Sequence, residues 1–201
     1  MPVIKYRKVV EKLLKNPAFS YKELLAYGVP RTYAKRLVHY LSRKGKMSIV
    51  EKGVYTTVDD PIIVASFISF PSYVSMFSAL FVRGVLSQIP MNVQVVTTKR
   101  RKKKTVVFKD TNIEFFRIKR DYFFGFTQTW YDGYQIPVAR IEKAIIDCFY
   151  FNVTTPEFLR DSLEDFNEKI DLTLLNEYLD IIKKRSIKQK VMELIKDSYN
   201  K

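Results

Sequence analysis

The chain has 201 residues, 47% of them hydrophobic and 28% charged, and a net charge of +14. This is globular composition with enough apolar material for a sizeable core, which excludes an intrinsically disordered chain. A single cysteine, Cys148, excludes an internal disulfide framework and a cysteine-rich zinc site.

The charge is unevenly spread. Residues 1–110 hold 21 Lys+Arg against 6 Asp+Glu, whereas residues 111–201 hold 14 against 15. A surplus confined to one half suggests a polyanionic partner, either nucleic acid or an anionic membrane surface, against the plainer reading of a lysine-rich soluble surface. Met1 to Lys8 shows no apolar signal-peptide core, and the lone thiol fits a reducing compartment, so a cytoplasmic protein is expected.

The first predicted helix covers residues 4–15. Tyr6, Val9, Val10, Leu13 and Leu14 form one apolar stripe at helical spacing, and Asn16-Pro17 ends it. Ser20-Tyr21-Lys22-Glu23 reads as a capping box that opens a short second helix, stopped by Gly28. Pro30 suits the first turn of a third helix, in which Ala34, Leu37, Val38 and Leu41 repeat the stripe up to Gly45. Residues 47–50, the turn Glu51-Lys52-Gly53 and residues 54–57 read as a β-hairpin. Two helices, a tight glycine turn, a further helix and a hairpin make up the layout of a winged helix-turn-helix. A small helical domain that binds protein is the alternative.

Asp59-Asp60-Pro61 marks the expected domain boundary. Ile62 to Val82 then runs 21 residues without a formal charge, enough to span a bilayer. Pro71 interrupts it, and Ser66, Ser69, Ser72, Ser75 and Ser78 dilute its hydrophobicity, so no membrane span is expected. Two soluble helices fit instead, one over residues 61–69 and one capped by Ser72 and running to about Ser87. Residues 93–98 and 105–108 read as paired strands joined by a basic loop, and residues 112–118 and 122–130 as further strands. Asp132-Gly133 is a strong hairpin turn. From Ala139 the pattern is helical, with Ile141, Ala144, Ile145 and Cys148 on one face. Helices also open at Thr155-Pro156, at Asp171 and at Ser186.

With the apolar stripe of the third helix turned inward, its other side presents Arg31, Thr32, Tyr33, Lys35, Arg36, His39, Tyr40 and Arg43. Residues near the N-terminus of such a helix reach base edges. Arg31, Thr32 and Lys35 are therefore the first candidates for base contact, Tyr33 and Arg36 suit base or phosphate, and Arg43 and Lys44 suit phosphates. From Leu24 to Val50 there is no Asp or Glu, whereas a merely solvated helix usually mixes signs. Lys46 and Lys52 stand at the base and tip of the hairpin and can touch the DNA backbone or an adjacent minor groove, or serve as ordinary turn lysines. The loop Lys99, Arg100, Arg101, Lys102, Lys103, Lys104 is a second basic element, solvated and mobile until an anion binds. Three partners suit it, DNA beyond the first footprint, RNA, or an acidic protein, against the plainer reading of a loop with no partner.

Catalytic candidates fail. His39 is the only histidine and lies on the proposed DNA face, which leaves no Ser-His-Asp or Cys-His pair. No zinc cluster and no phosphate-binding glycine loop is present. Asp110 and Glu114 flank a strand start without a suitably placed lysine for a metal-dependent nuclease. No catalytic residue, metal or cofactor is expected. Glu142-Lys143 reads as surface charge on a helix, or as a family motif.

Several segments resemble the AbiEi family of antitoxins from abortive-infection (type IV) toxin–antitoxin pairs. They are Gly28-Val29-Pro30-Arg31 through Arg36-Leu37-Val38, Leu41 to Met47 with Glu51-Lys52-Gly53-Val54-Tyr55, and Ser78-Ala79-Leu80 with Arg83-Gly84-Val85. The last is Ile136-Pro137-Val138-Ala139 with Ile141-Glu142-Lys143-Ala144-Ile145-Ile146-Asp147. The resemblance spans roughly residues 4–150. It implies a winged helix-turn-helix that binds operator repeats in double-stranded DNA and represses its own operon. It also implies a C-terminal domain that counters a nucleotidyltransferase-like toxin.

The sequence reading is thus an α+β, two-domain transcriptional regulator. Residues 1–58 form an N-terminal winged helix-turn-helix, followed over residues 59–201 by a mixed β-sheet domain with packed helices. The alternative is a protein-interaction antitoxin or RNA-binding module without sequence-specific DNA binding.

Overall fold

The computed structural model describes residues 6–163 and 169–196. The first element is α1 (Arg7–Leu14), and Ile4 and Lys5 of the expected first helix lie outside the described residues. A three-residue strand β1 (Ala18–Ser20) follows, unforeseen in the sequence. Next come α2 (Tyr21–Ala26), α3 (Arg31–Arg43), β2 (Ser48–Glu51) and β3 (Val54–Thr56). The three strands form an antiparallel sheet in the order β1-β3-β2. The expected capping box is present: Ser20 Oγ accepts from Glu23 N, and Ser20 N donates to the Glu23 carboxylate. Leu13, Leu24, Ala34, Leu37 and Leu41 fill a small core of their own. The 3.6-residue spacing read from the sequence puts each of them on one side of its helix.

The second half packs helices on a six-stranded mixed sheet, so the chain is α+β. It comprises α4 (Pro61–Ile68), β4 (Ser72–Val74), α5 (Met76–Val82), β5 (Asn92–Thr97), β6 (Thr105–Phe108), β7 (Thr111–Arg117), β8 (Phe126–Tyr131) and β9 (Tyr134–Ala139). Among the described residues, α6 (Ile141–Tyr150), α7 (Pro156–Ser162), α8 (Leu172–Ile182) and α9 (Arg185–Lys196) follow. The strand order is β6-β7-β5-β4-β9-β8.

Three expectations are corrected here. Ser72 does not cap a helix; Ser72–Val74 is a strand in the middle of the sheet, antiparallel to β5 and parallel to β9. The serines taken to dilute the uncharged segment are all buried. Four of them bond internally: Ser66 Oγ to Ile62 O at 3.1 Å, Ser72 Oγ to Ser66 O at 3.4 Å, Ser75 Oγ to Asp147 Oδ2 at 2.7 Å and Ser78 Oγ to Asn92 O at 3.3 Å. Helix, strand and helix thus divide residues 61–82, and among the described residues no helix is long and apolar enough to cross a membrane.

Second, β6 pairs with β7, not with β5. Lys109 and Asp110 both take positive φ and close a two-residue hairpin, which holds β6 and β7 side by side. β5 then pairs with β7 in parallel, from Asn92↔Asn112 to Thr97↔Arg117. The basic loop must therefore cross the C-terminal end of β7 to reach the sheet edge. Third, the strand expected over residues 122–130 begins only at Phe126, after a 3-10 turn at Arg120–Tyr122. The Asp132-Gly133 turn is as expected, with φ +44° and +78°.

Candidate nucleic-acid interface

α3 buries Ala34, Leu37, Val38 and Leu41 and exposes Arg31, Thr32, Lys35, Arg36, His39, Tyr40 and Arg43. Its start is fixed by the turn before it. Gly28 takes φ +77°, which costs glycine nothing, and Gly28 N and Val29 N donate to Leu25 O and Leu24 O. Val29 drops into the core beneath, which sets the angle at which α3 leaves. Among the described residues none of Arg31, Lys35, Arg36, Arg43, Lys44, Lys46 and Lys52 is in an ion pair.

Tyr33, expected on the exposed face, is corrected. Its ring is half-buried against Tyr6, with centroids 5.0 Å apart, and burial raises its hydroxyl pKa above the usual tyrosine value. It sits beside the buried stripe, next to Ala34, where the Tyr6 ring packs on it. The remaining eight candidates of the first half are exposed.

Tyr21 organises the interface, and sequence reasoning used it only as part of the capping box. Its backbone N donates to Gly53 O at the hairpin tip at 2.8 Å, and its hydroxyl donates to Arg31 O at the start of α3, also at 2.8 Å. One residue thus spans the hairpin tip and the N-terminus of α3, bringing Lys52 and Arg31 to the same side of the molecule. Lys46, at the other end of the hairpin, is exposed as well.

The basic loop is not uniformly solvated, contrary to expectation. Arg101 Nη2 donates to both carboxylate oxygens of Glu51 at 2.8 Å, and its guanidinium lies 4.1 Å from the centre of the Phe115 ring. Both partners are largely buried, so the pair holds the loop against the hairpin. Glu51 is the first carboxylate after Glu23, and Arg101 neutralises it. Lys99, Arg100, Lys102, Lys103 and Lys104 remain exposed around that anchor.

Glu142 and Lys143 are not surface charge. Glu142, Lys143 and Asp147 are buried on α6, and Lys143 and Asp147 are fully enclosed. Lys143 Nζ pairs with Asp147 Oδ1, while Tyr73 OH and Ser75 Oγ donate to Asp147 Oδ2 at 3.0 and 2.7 Å. Burial, and then the Asp147 charge, push the Tyr73 hydroxyl well above its ordinary pKa. Glu142 Oε1 accepts from Asp171 N at 2.8 Å and so holds the start of α8. Arg83 donates to Val138 O, Ala139 O and Thr127 Oγ1, tying α5 to the β8–β9 hairpin. Glu142, Lys143, Asp147, Tyr73 and Ser75 are all buried. The network joins helices to the sheet.

Asp110 is exposed in a turn and Glu114 accepts from Asn92 Nδ2, so the two do not form a paired acidic centre. Among the described residues no three His, Cys, Asp or Glu side chains gather as a metal site requires. No protein-family model matches the chain, and no curated protein matches it in sequence.

Proposed function

We propose that this protein is a DNA-binding transcriptional regulator whose N-terminal half works as a winged helix-turn-helix, with α3 in the major groove and the β2–β3 hairpin as the wing. The observation that carries this reading is the outer face of α3. It is cationic, exposed and free of carboxylates, and Tyr21 ties it to the hairpin tip that bears Lys52. An unpaired cationic face of this kind gains free energy by releasing counterions from a duplex.

Arg31, Thr32, Lys35 and Arg36 take base-reading roles near the N-terminus of the helix, while His39, Arg43, Lys46 and Lys52 meet phosphates. The AbiEi-like segments extend the reading. In it the protein is a cytoplasmic antitoxin that binds operator repeats, represses its own operon and opposes a nucleotidyltransferase-like toxin.

Fluorescence anisotropy tests the first half. Upstream duplex should bind more tightly than shuffled duplex, with steep salt dependence. Arg31→Ala and Lys35→Ala should each cost about 1–3 kcal/mol on the specific duplex and less on the shuffled one. Equal losses on both would make them phosphate contacts, and no duplex binding would end the reading. Co-expression with the adjacent gene product tests the antitoxin half, which requires relief of that protein's toxicity.

A further inference from the structure

The loop between β5 and β6 crosses the C-terminal end of β7 and leaves a crevice beneath it. This cavity measures about 1120 Å³, and its lining includes Lys99, Lys102 and Lys104 of the loop, Arg117 at the end of β7, and Phe116 and Phe151. A second cleft of about 400 Å³, also lined by this loop, includes Lys52 at the hairpin tip and Phe70. A third, of about 550 Å³, includes Lys99, Arg120 and Phe123. One cationic loop therefore forms a shared wall of three adjoining clefts, each of which also has a phenylalanine.

The charges there are not spent internally. Arg101 alone is consumed, by Glu51, and that pair fixes the loop in place. Among the described residues Lys99, Arg100, Lys102, Lys103, Lys104 and Arg117 have no ion pair, and Glu114 is the one carboxylate of the large cavity. Phe70 is 77% exposed, so its ring face is open to a stacking partner.

We infer that this groove binds single-stranded polynucleotide, with the loop cations along the phosphates and the phenylalanine rings against unstacked bases. Cations that track a backbone, set beside aromatic platforms, are the two elements such binding needs. The clefts together extend beyond the reach of one mononucleotide. β5 and β7 run parallel and both end at the large cavity, the end of a parallel pair at which sheets characteristically leave a ligand crevice. This site is separate from the outer face of α3.

The test uses the full chain and labelled 12-mers of oligo-uridylate and oligo-thymidylate, read by anisotropy at two or more salt concentrations. Lys99→Gln/Lys102→Gln/Lys104→Gln should lose about tenfold or more in affinity and lower the salt slope by about 2, as removing three phosphate contacts from a single strand requires. Phe70→Ser, at an exposed position, should lose about fivefold or more through lost stacking. Arg31→Ala/Lys35→Ala should bind both oligomers as the wild type does, which separates this site from duplex binding. The tighter of the two oligomers distinguishes RNA from DNA as the source. Wild-type affinity in the triple loop variant overturns the inference. So does base-free polyphosphate binding as tightly as the oligomers, or undiminished binding by Phe70→Ser, since bases would then play no part. A poly-glutamate chain that binds more tightly than either oligomer overturns it in favour of an acidic protein.

Discussion

Lys143→Met is the most informative single change in the C-terminal half. The methionine keeps the aliphatic stem that packs near Tyr73 and Phe124, whose ring centres lie 5.6 and 5.4 Å from the ammonium, and removes only the charge. Asp147 is then left fully enclosed, with Tyr73 and Ser75 as its remaining donors. Removing one partner of a buried pair costs about 3–5 kcal/mol, because the other charge stays desolvated and uncompensated. Against a typical unfolding free energy of about 5–15 kcal/mol, that is a large fraction of the total. It corresponds to a melting temperature lower by about 6–20 °C at this chain length. Asp147→Asn alone should cost a similar amount by stranding the ammonium. The double variant should cost only about 1–3 kcal/mol, since no charge remains buried and the defect is one unsatisfied amide. Urea unfolding at pH 7, followed by circular dichroism, measures all three. Additive single effects, within about 0.5 kcal/mol, would refute the description of Lys143 and Asp147 as a desolvated, mutually dependent pair.

Gly125→Ala should destabilise by about 1–3 kcal/mol: φ is +74°, and a Cβ there would stand 2.9 Å from Tyr178 Cε2 and 3.0 Å from Lys143 Cβ. Thermal melts that match the wild type would show that these neighbours yield freely. Ser20→Ala removes the capping hydroxyl of α2 and should cost about 1 kcal/mol in the same unfolding assay, with Ser20→Gly costing less. Alkaline pH should also destabilise the fold. Burial pushes Tyr73 well above the usual tyrosine pKa, and burial with the nearby Asp60 pushes Tyr131 up to about 12. Their contribution is fully present below the unfolded value near 10 and is lost as pH rises through the folded values. Urea midpoints at pH 9, 10 and 11 should therefore fall more steeply for the wild type than for Tyr73→Phe/Tyr131→Phe; parallel slopes would contradict this.

What the sequence determined by itself was local. The Ser20 capping box, the Gly28 turn and the stripe Ala34, Leu37, Val38, Leu41 depend on backbone geometry and helical period, so neighbours a few residues away suffice to read them. The outward set of α3 followed from the same stripe, except for Tyr33, whose ring packs on Tyr6 just before α1. The Asp132-Gly133 hairpin was legible because glycine tolerates the required φ. Tertiary structure alone decided the rest. Ser72–Val74 is too short to signal a strand and becomes one because β5 and β9 offer backbone partners on both sides. β6 could have paired with either neighbour; the Lys109-Asp110 turn placed it beside β7 and sent the basic loop across the sheet end. Glu142, Lys143 and Asp147 look like ordinary helix-surface charge in one dimension, since nothing within one turn reveals that Tyr73 and Ser75 will arrive from 74 and 72 residues before Asp147. Burial of a charge is a property of what packs over it, and a one-dimensional pattern carries no record of that.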